Sequence, residues 1–306
     1  MSTPRLPLVW DMETGDPDDF LTLLLLLDHP RVELLAVTIT PGTAEQVGVV
    51  RRALAWLGRE DVPVGARDLA SEKRAVSPWH YEAYHEAYHE AYGEPAPSRD
   101  AEPADELLVR VFGARPHATL LTGGPPKNLG AALALAQARG APLALGRWVA
   151  QGGFAGEGVV PPERQLPKFR GLTTCPSFNL NGAPKVVLAA LAAPGIGARR
   201  FVSKNVCHGV IYDHAMHERF AAAKDRRRSI ALVHHGMEHY LRTREHGKAF
   251  HDPLAAACAI DESIGEWAEV ELYRERGEWG SRLSPGSGTR IIVGYDHERF
   301  VETLLA

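Results

Sequence analysis

Residues 6–19 read LPLVWDMETGDPDD: a mostly apolar run, then the carboxylates Asp11, Glu13, Asp16, Asp18 and Asp19 within nine positions. A short apolar run closed by an acidic, Gly-containing turn has the pattern of a buried strand. Asp16 before Pro17 pairs a capping carboxylate with a proline suited to the first helical position, so a helix is expected to start there and continue through FLTLLLLLDHP. Residues 33–39 (ELLAVTI) form a second apolar run, followed by Pro41-Gly42 and a helical pattern over 46–57. Strand alternating with helix predicts an α/β chain with a mostly parallel (mixed) central sheet flanked by helices.

The alternation returns further along. A strand is expected at 117–121, then the turn Gly123-Gly124-Pro125-Pro126 and a helix over 128–138. More strands are expected at 143–150, 198–203, 269–273 and 289–293. No linker divides the chain, so residues 1–306 are expected to form one domain, and the Pro-rich stretch 95–103 only a loop. With 45% hydrophobic and 24% charged residues and a net charge of −4, no basic field points to nucleic acid or to an anionic membrane. The longest apolar run is too short to span a bilayer, and the acidic start does not suit a secretion signal. Cys175, Cys207 and Cys258 form no pair pattern, so a cytoplasmic location is expected.

Five carboxylates at one strand end repel one another unless a cation joins them. Oxygen ligands select a hard ion, calcium or else magnesium. Asp16 as a cap and Asp18 and Asp19 in the first helical turn account for three of the acids without any metal. They leave Asp11 and Glu13 unexplained. The EF-hand spacing is excluded, because the twelfth position from Asp11 is Thr22. Asp11-Met-Glu13-Thr after an apolar strand also resembles the aspartyl-phosphate motif of haloacid-dehalogenase-like phosphohydrolases, in which Asp11 would be the nucleophile. That family has Asp where this chain has Glu13.

Three separated segments resemble the inosine-uridine-preferring nucleoside hydrolases. The opening acidic motif of that family, D-x-D-P-G-x-D-D, aligns with Asp11–Asp19; its T-G-P/G-L-T-N-L segment with Thr122-Gly-Gly-Pro-Pro-Lys-Asn128-Leu; and its H-D-P-L-A with His251-Asp252-Pro253-Leu254-Ala255. Gly152-Gly153 and Ser177-Phe178-Asn179 resemble two central segments. The resemblance implies a Rossmann-like nucleoside hydrolase fold and metal-dependent cleavage of an N-glycosidic bond in nucleoside salvage, releasing free base and ribose. It implies calcium (or magnesium) held by Glu13, Asp19, Asp252 and the Thr122 carbonyl. Asp18 and Asn179 would contact the sugar, as would Thr43 and Ser177 at positions where the family has other polar residues. Glu13 or Asp18 would accept the proton from water, and His251 would supply one to the departing base. It further implies a nucleoside-like small-molecule substrate and a homodimer or homotetramer.

The chain departs from the family in one extra residue before Asp18, in Glu13 for aspartate, in Thr43 and Val159 for asparagines, and in Ser177 for glutamate. The extra residue leaves Asp16 as an alternative to Glu13 at the metal. The lost sugar contacts predict a substrate altered at the base or sugar, for example by a 5′-phosphate near Lys168 and Arg170. They also allow a non-catalytic nucleoside or sugar binder on the same fold. Finally, the repeat around Tyr84-His85-Glu-Ala and Tyr88-His89-Glu-Ala is expected to form an amphipathic helix with Tyr81, Tyr84, Tyr88 and Tyr92 along one face. Near the site it could act as a lid.

Overall fold

The computed structural model describes residues 4–85 and 93–306. Thirteen strands are present among them: β1 Leu6–Met12, β2 Val32–Ile39, β3 Val64–Ala66, β4 Glu102–Pro103, β5 Thr119–Thr122, β6 Leu145–Gln151, β7 Thr174–Cys175, β8 Ile196–Val202, β9 Ile211–Tyr212, β10 Lys248–Ala249, β11 Gly265–Glu275, β12 Glu278–Leu283 and β13 Thr289–Tyr295. Eleven build one sheet in the order β4-β3-β2-β1-β5-β6-β8-β13-β11-β12-β7, and β9 pairs with β10 apart from it. Neighbours from β4 to β13 are parallel; β11, β12 and β7 are antiparallel additions. One continuous sheet with helices packed on it makes this a single mixed α/β domain.

The chain leaves β1 through β2, β3 and β4 on one side, then returns to β1's other side as β5. Such a reversal opens a crevice at the carboxyl ends of the two central strands, where open α/β sheets bind ligands. Asp11 and Thr122 pair across that end. The helix Pro17–Leu27 begins where expected, capped by Asp16, and all eleven of its residues are buried. An all-round apolar helix has to be covered on every side. Here the helices Arg228–Thr243 and His251–Ile260 pack on it.

β12 lay outside the sequence expectation because EWGSRL carries little apolar alternation. Its position is set by the hairpin with β11, whose two-residue turn Arg276-Gly277 has φ of 49° and 88°. Both values lie in the left-handed region demanded by a primed hairpin turn, and glycine adopts it without strain. Tyr84 is fully buried among Phe20, Trp56 and Trp79, and Tyr81 donates to Glu45 Oε1 at 2.8 Å. Tyr88, His89 and Tyr92, and with them the second half of the expected helix and lid, lie outside the described residues. No described helix is long and apolar enough to cross a membrane.

Candidate active site

Four segments converge above the ends of β1 and β5: the turn Glu13–Asp16, the first turn of Pro17–Leu27, the Gly123-Gly124 turn, and the start of the helix His251–Ile260. Asp18, Asp19 and Asp252 each bring a carboxylate oxygen to within 4.8 Å of the other two, and all three side chains are buried. Gly123 permits this approach. A Cβ there would stand 2.3 Å from the Trp10 ring and 2.9 Å from both Asp19 Oδ1 and Asp252 Oδ1. Asp19 Oδ1 accepts the main-chain N–H of Glu13 at 2.9 Å. Asp252 Oδ1 is buried with no hydrogen-bond partner.

Burial, then Asp252 and Glu13, push the Asp19 carboxyl well above its usual range. Asp252 is raised in the same way by burial, then by Asp18 and Glu13. Glu13, half-buried, is pushed up to about 7 by burial and by Asp18 and Asp16. Clustered acids with an orphaned oxygen create an environment that a divalent cation relieves, so the donor set fits a hard metal ion. The counter-charge the chain itself supplies is Lys248, only 4% exposed, with Nζ 2.7 Å from Asp16 Oδ1 and 3.2 Å from Asp18 Oδ1. Burial disfavours its charge, but Asp18 and Asp16 outweigh that and hold the ammonium above its usual value.

The expected residues divide by location. Glu13, Asp18, Asp19, Asp252, His251, Ser177 and Asn179 all border one cleft of about 560 Å³, and Asp16 stands at its edge with Lys248. Asp18 is already engaged: its Oδ2 accepts the N–H groups of His251 at 3.1 Å and Asp252 at 3.3 Å, satisfying a helix start. That helix begins at His251. Asn179 Nδ2 donates to the Gly123 carbonyl and to Gln151 Oε1, each at 2.6 Å. Ser177 Oγ accepts the Gly153 N–H at 3.0 Å.

Thr122 ends β5 directly before Gly123, and its hydroxyl accepts from Trp148 Nε1 at 3.1 Å. Thr43 is 1% exposed and does not border the cleft. It forms a capping box with Gln46, whose side chain does border it. Asp11 is also withdrawn: Oδ1 accepts from Thr38 and Asn128, each at 2.7 Å, and burial pushes its pKa up to about 7. A buried carboxyl so engaged is not presented to a phosphoryl group, so the phospho-aspartate chemistry has no nucleophile at Asp11.

His251 Nδ1 lies 3.2 Å from the Cys207 carbonyl and therefore carries the donated proton; burial, then Lys248, lowers its pKa to about 4. His208 lies against it, tilted by 37°, at 4.6 Å between ring centroids. The sequence pattern did not single out Lys248, Gln46, Gln151, His208 or Lys204. Lys248, four residues before Asp252, carried no signal beyond that nearness. Gln151 directly precedes the Gly152-Gly153 pair.

The family model for inosine-uridine preferring nucleoside hydrolases matches residues 8–302. Among solved structures, the chain resembles the inosine-uridine preferring nucleoside hydrolase from Bacillus anthracis, with 19% identity over 98% of this chain and 97% of that one and a TM-score of 0.67. It resembles the purine-preferring ribonucleoside hydrolase from Gardnerella vaginalis with 17% identity over 98% and 96% of the two chains and a TM-score of 0.66. An inosine-guanosine nucleoside hydrolase aligns at 17% identity over 98% and 97%, with a TM-score of 0.71. The chain has no significant match among curated protein sequences. With nearly its whole length matched by the family model and the same fold, this chain belongs to the inosine-uridine preferring nucleoside hydrolases, a family of N-glycosyl hydrolases.

Proposed function

We propose that the cleft hydrolyses the N-glycosidic bond of a ribonucleoside with the help of a divalent cation, calcium before magnesium. The observation that carries this reading is the buried triad of Asp18, Asp19 and Asp252 with its unpartnered Asp252 Oδ1. Asp19 and Asp252 would hold the ion, with Glu13 and the Thr122 carbonyl as the further donors. A cation bound there supplies positive charge that acidifies and orients a water at neutral pH.

The chain's own groups do the rest. Glu13 borders the cleft beside Asp18 and Asp19 and would accept the proton from that water. The surrounding carboxylates stabilise the positive charge that develops on the sugar as the bond to the base breaks. Asn179 borders the cleft as the neutral sugar contact, and Ser177 stands two residues before it. Asp18 serves the sugar with whatever capacity its ties to Lys248 and to the helix start leave it.

His251 is neutral near pH 7, with Nδ1 donating and Nε2 therefore an acceptor. It can bind a base N–H at rest and give up a proton only as an imidazolium, which burial makes strongly acidic. Three buried free cysteines agree with a reducing, cytoplasmic setting.

The test is base release from a panel of purine and pyrimidine ribonucleosides, with calcium, with magnesium and with chelator. Free base in the presence of the cation, lost with chelator and in Asp252→Asn, is the expected result. Tight nucleoside binding with no base release under any condition would overturn the reading.

A further inference from the structure

Two lysines beside the cleft face neutral partners. Lys204 borders it, and its Nζ donates to the Pro176 carbonyl at 2.7 Å and lies 3.5 Å from Cys175 Sγ. Lys168 Nζ lies 2.8 Å from Nδ1 of His208, whose ring borders the same cleft. Both ammonium groups lie near the Phe169 ring, 5.1 Å and 5.6 Å from its centroid. A carbonyl, a thiol, an imidazole nitrogen and an aromatic ring offer no anion to either. The contrast is Lys248, which is held between two carboxylates in the same cleft region. The cleft thus has an acidic floor and, at its border, Lys204, with Lys168 behind His208; among the described residues no carboxylate pairs with either lysine.

The stereochemistry of a nucleoside connects the two regions. In a β-ribonucleoside the two hydroxyls lie on one face of the sugar, while the base and C5′ rise from the other. A sugar whose diol faces Asp19 and Asp252 sends its base towards His251. Its C5′ leaves on the same side of the ring. His251 lies against His208, and His208 carries Lys168. Along the other border, Asn179 touches Gly123 beside the floor, Ser177 follows, and Lys204 is tied to Pro176. Ser177 Oγ accepts from Gly153, leaving its own proton to donate. Burial, then His251 and the two lysines, lowers His208 to about 3, so the ring adds an accepting nitrogen rather than a third charge.

We propose that the substrate is a ribonucleoside 5′-monophosphate, with its phosphate held by Lys204 and Lys168 and by the hydroxyl of Ser177. This rests on the hydrolase reading above. Water oxygen bonds to C1′, the C1′–N bond breaks with its electron pair going to the base, and the base takes a proton. The products are free base and ribose 5-phosphate, and the phosphate ester is untouched. Charge-assisted contacts to phosphate account for the preference, with lysines acting as point charges. Lys168 and Arg170 are both exposed and outside the cleft lining; Lys168 reaches it through His208.

The experiment compares kcat/KM for a ribonucleoside, its 5′-monophosphate and its 3′-monophosphate, using the full chain with calcium. The 5′-monophosphate is expected to exceed the other two at least tenfold. Lys204→Met and Lys168→Met should each cut the ratio of 5′-monophosphate to nucleoside at least fivefold. Calorimetry with ribose 5-phosphate and ribose gives a readout independent of turnover: the phosphate sugar should bind more tightly, and Lys204→Met should remove the difference while the thermal midpoint stays within a few degrees. Equal or faster turnover of the plain nucleoside, or a ratio unmoved in both variants, would overturn the proposal and leave the hydrolase reading standing. No base release from any of the three would overturn both.

Discussion

Asp252 and Lys248 set the charge balance of the cleft between them. Asp252 has one buried oxygen without a partner, and Asp252→Asn keeps its shape while removing its charge. The variant should lose at least about a hundredfold in kcat/KM, more than is usual for losing a group that only supports a metal ligand. Calcium titration followed by calorimetry should show weakened binding, and unchanged affinity would exclude Asp252 from the ion. Lys248 has the opposite task. Lys248→Met leaves Asp16 and Asp18 without their cation, and breaking the buried Lys248–Asp18 pair costs about 3–5 kcal/mol, the exposed Asp16 adding little. Calcium at the proposed site would restore positive charge nearby, so its stabilising effect in thermal melts should be larger in Lys248→Met than in the parent. An equal calcium shift in both proteins would show that the lysine and the ion site are not coupled.

The turn after β5 and the helix after β2 position the site as elements. Gly123 lets Trp10, Asp19 and Asp252 close around one point, and Gly123→Ala puts a methyl group into that space. The expected outcome is a loss of calcium affinity together with activity, while secondary structure by circular dichroism is retained. Thr43 caps the helix Ala44–Trp56 through its box with Gln46, so Thr43→Ala should cost about 1 kcal/mol in denaturant unfolding. KM should stay within about twofold, since the capping role touches stability alone. A large rise in KM at unchanged stability would instead make Thr43 a sugar contact, the role its family position suggests.

Over the whole molecule, two buried histidines join distant parts of the chain. His29 Nε2 donates to the Thr303 carbonyl at 2.9 Å, linking the end of the first helix to the C-terminal helix His297–Leu305. His80 Nε2 donates to the Thr14 carbonyl at 3.1 Å beneath the acidic turn. Burial lowers both from 6.5 to about 4, so the folded protein favours the neutral rings. The stability this confers is complete above about pH 6.5 and is lost as the pH falls towards 4, about 3 kcal/mol for each ring. The raised carboxyls of Asp11, Glu13, Asp19 and Asp252 act in the opposite sense over the same range, so the readout is the difference between two proteins. In urea melts from pH 7 to pH 4.5, His29→Gln should lose less stability than the parent, and identical profiles would mean that the His29 ring is not held neutral.

The strand-turn-helix pattern, the parallel character of the sheet and the positions of Glu13, Asp18, Asp19 and Asp252 were legible in the sequence. Apolar periodicity and cap chemistry are local, and an acidic cluster needs no tertiary contact to be noticed; Asp252 was reached only through the resemblance of His251-Asp252-Pro253-Leu254-Ala255 to the family's segment. β12 and β7 were not legible, because their place depends on pairing with β11 and with each other rather than on their own apolar pattern.

What only the tertiary structure decided is how four of the five N-terminal acids divide. Asp11 turns into the sheet towards Thr38 and Asn128, Asp16 pairs outward with Lys248, Asp18 caps a helix from the far end of the chain, and Asp19 meets Asp252. The physical reason is that a carboxylate's role follows from its partners. Those partners stand 27 to 234 residues away, brought close by the pairing of β2 and β5 with β1 and by the packing of the helix His251–Ile260 on the helix Pro17–Leu27.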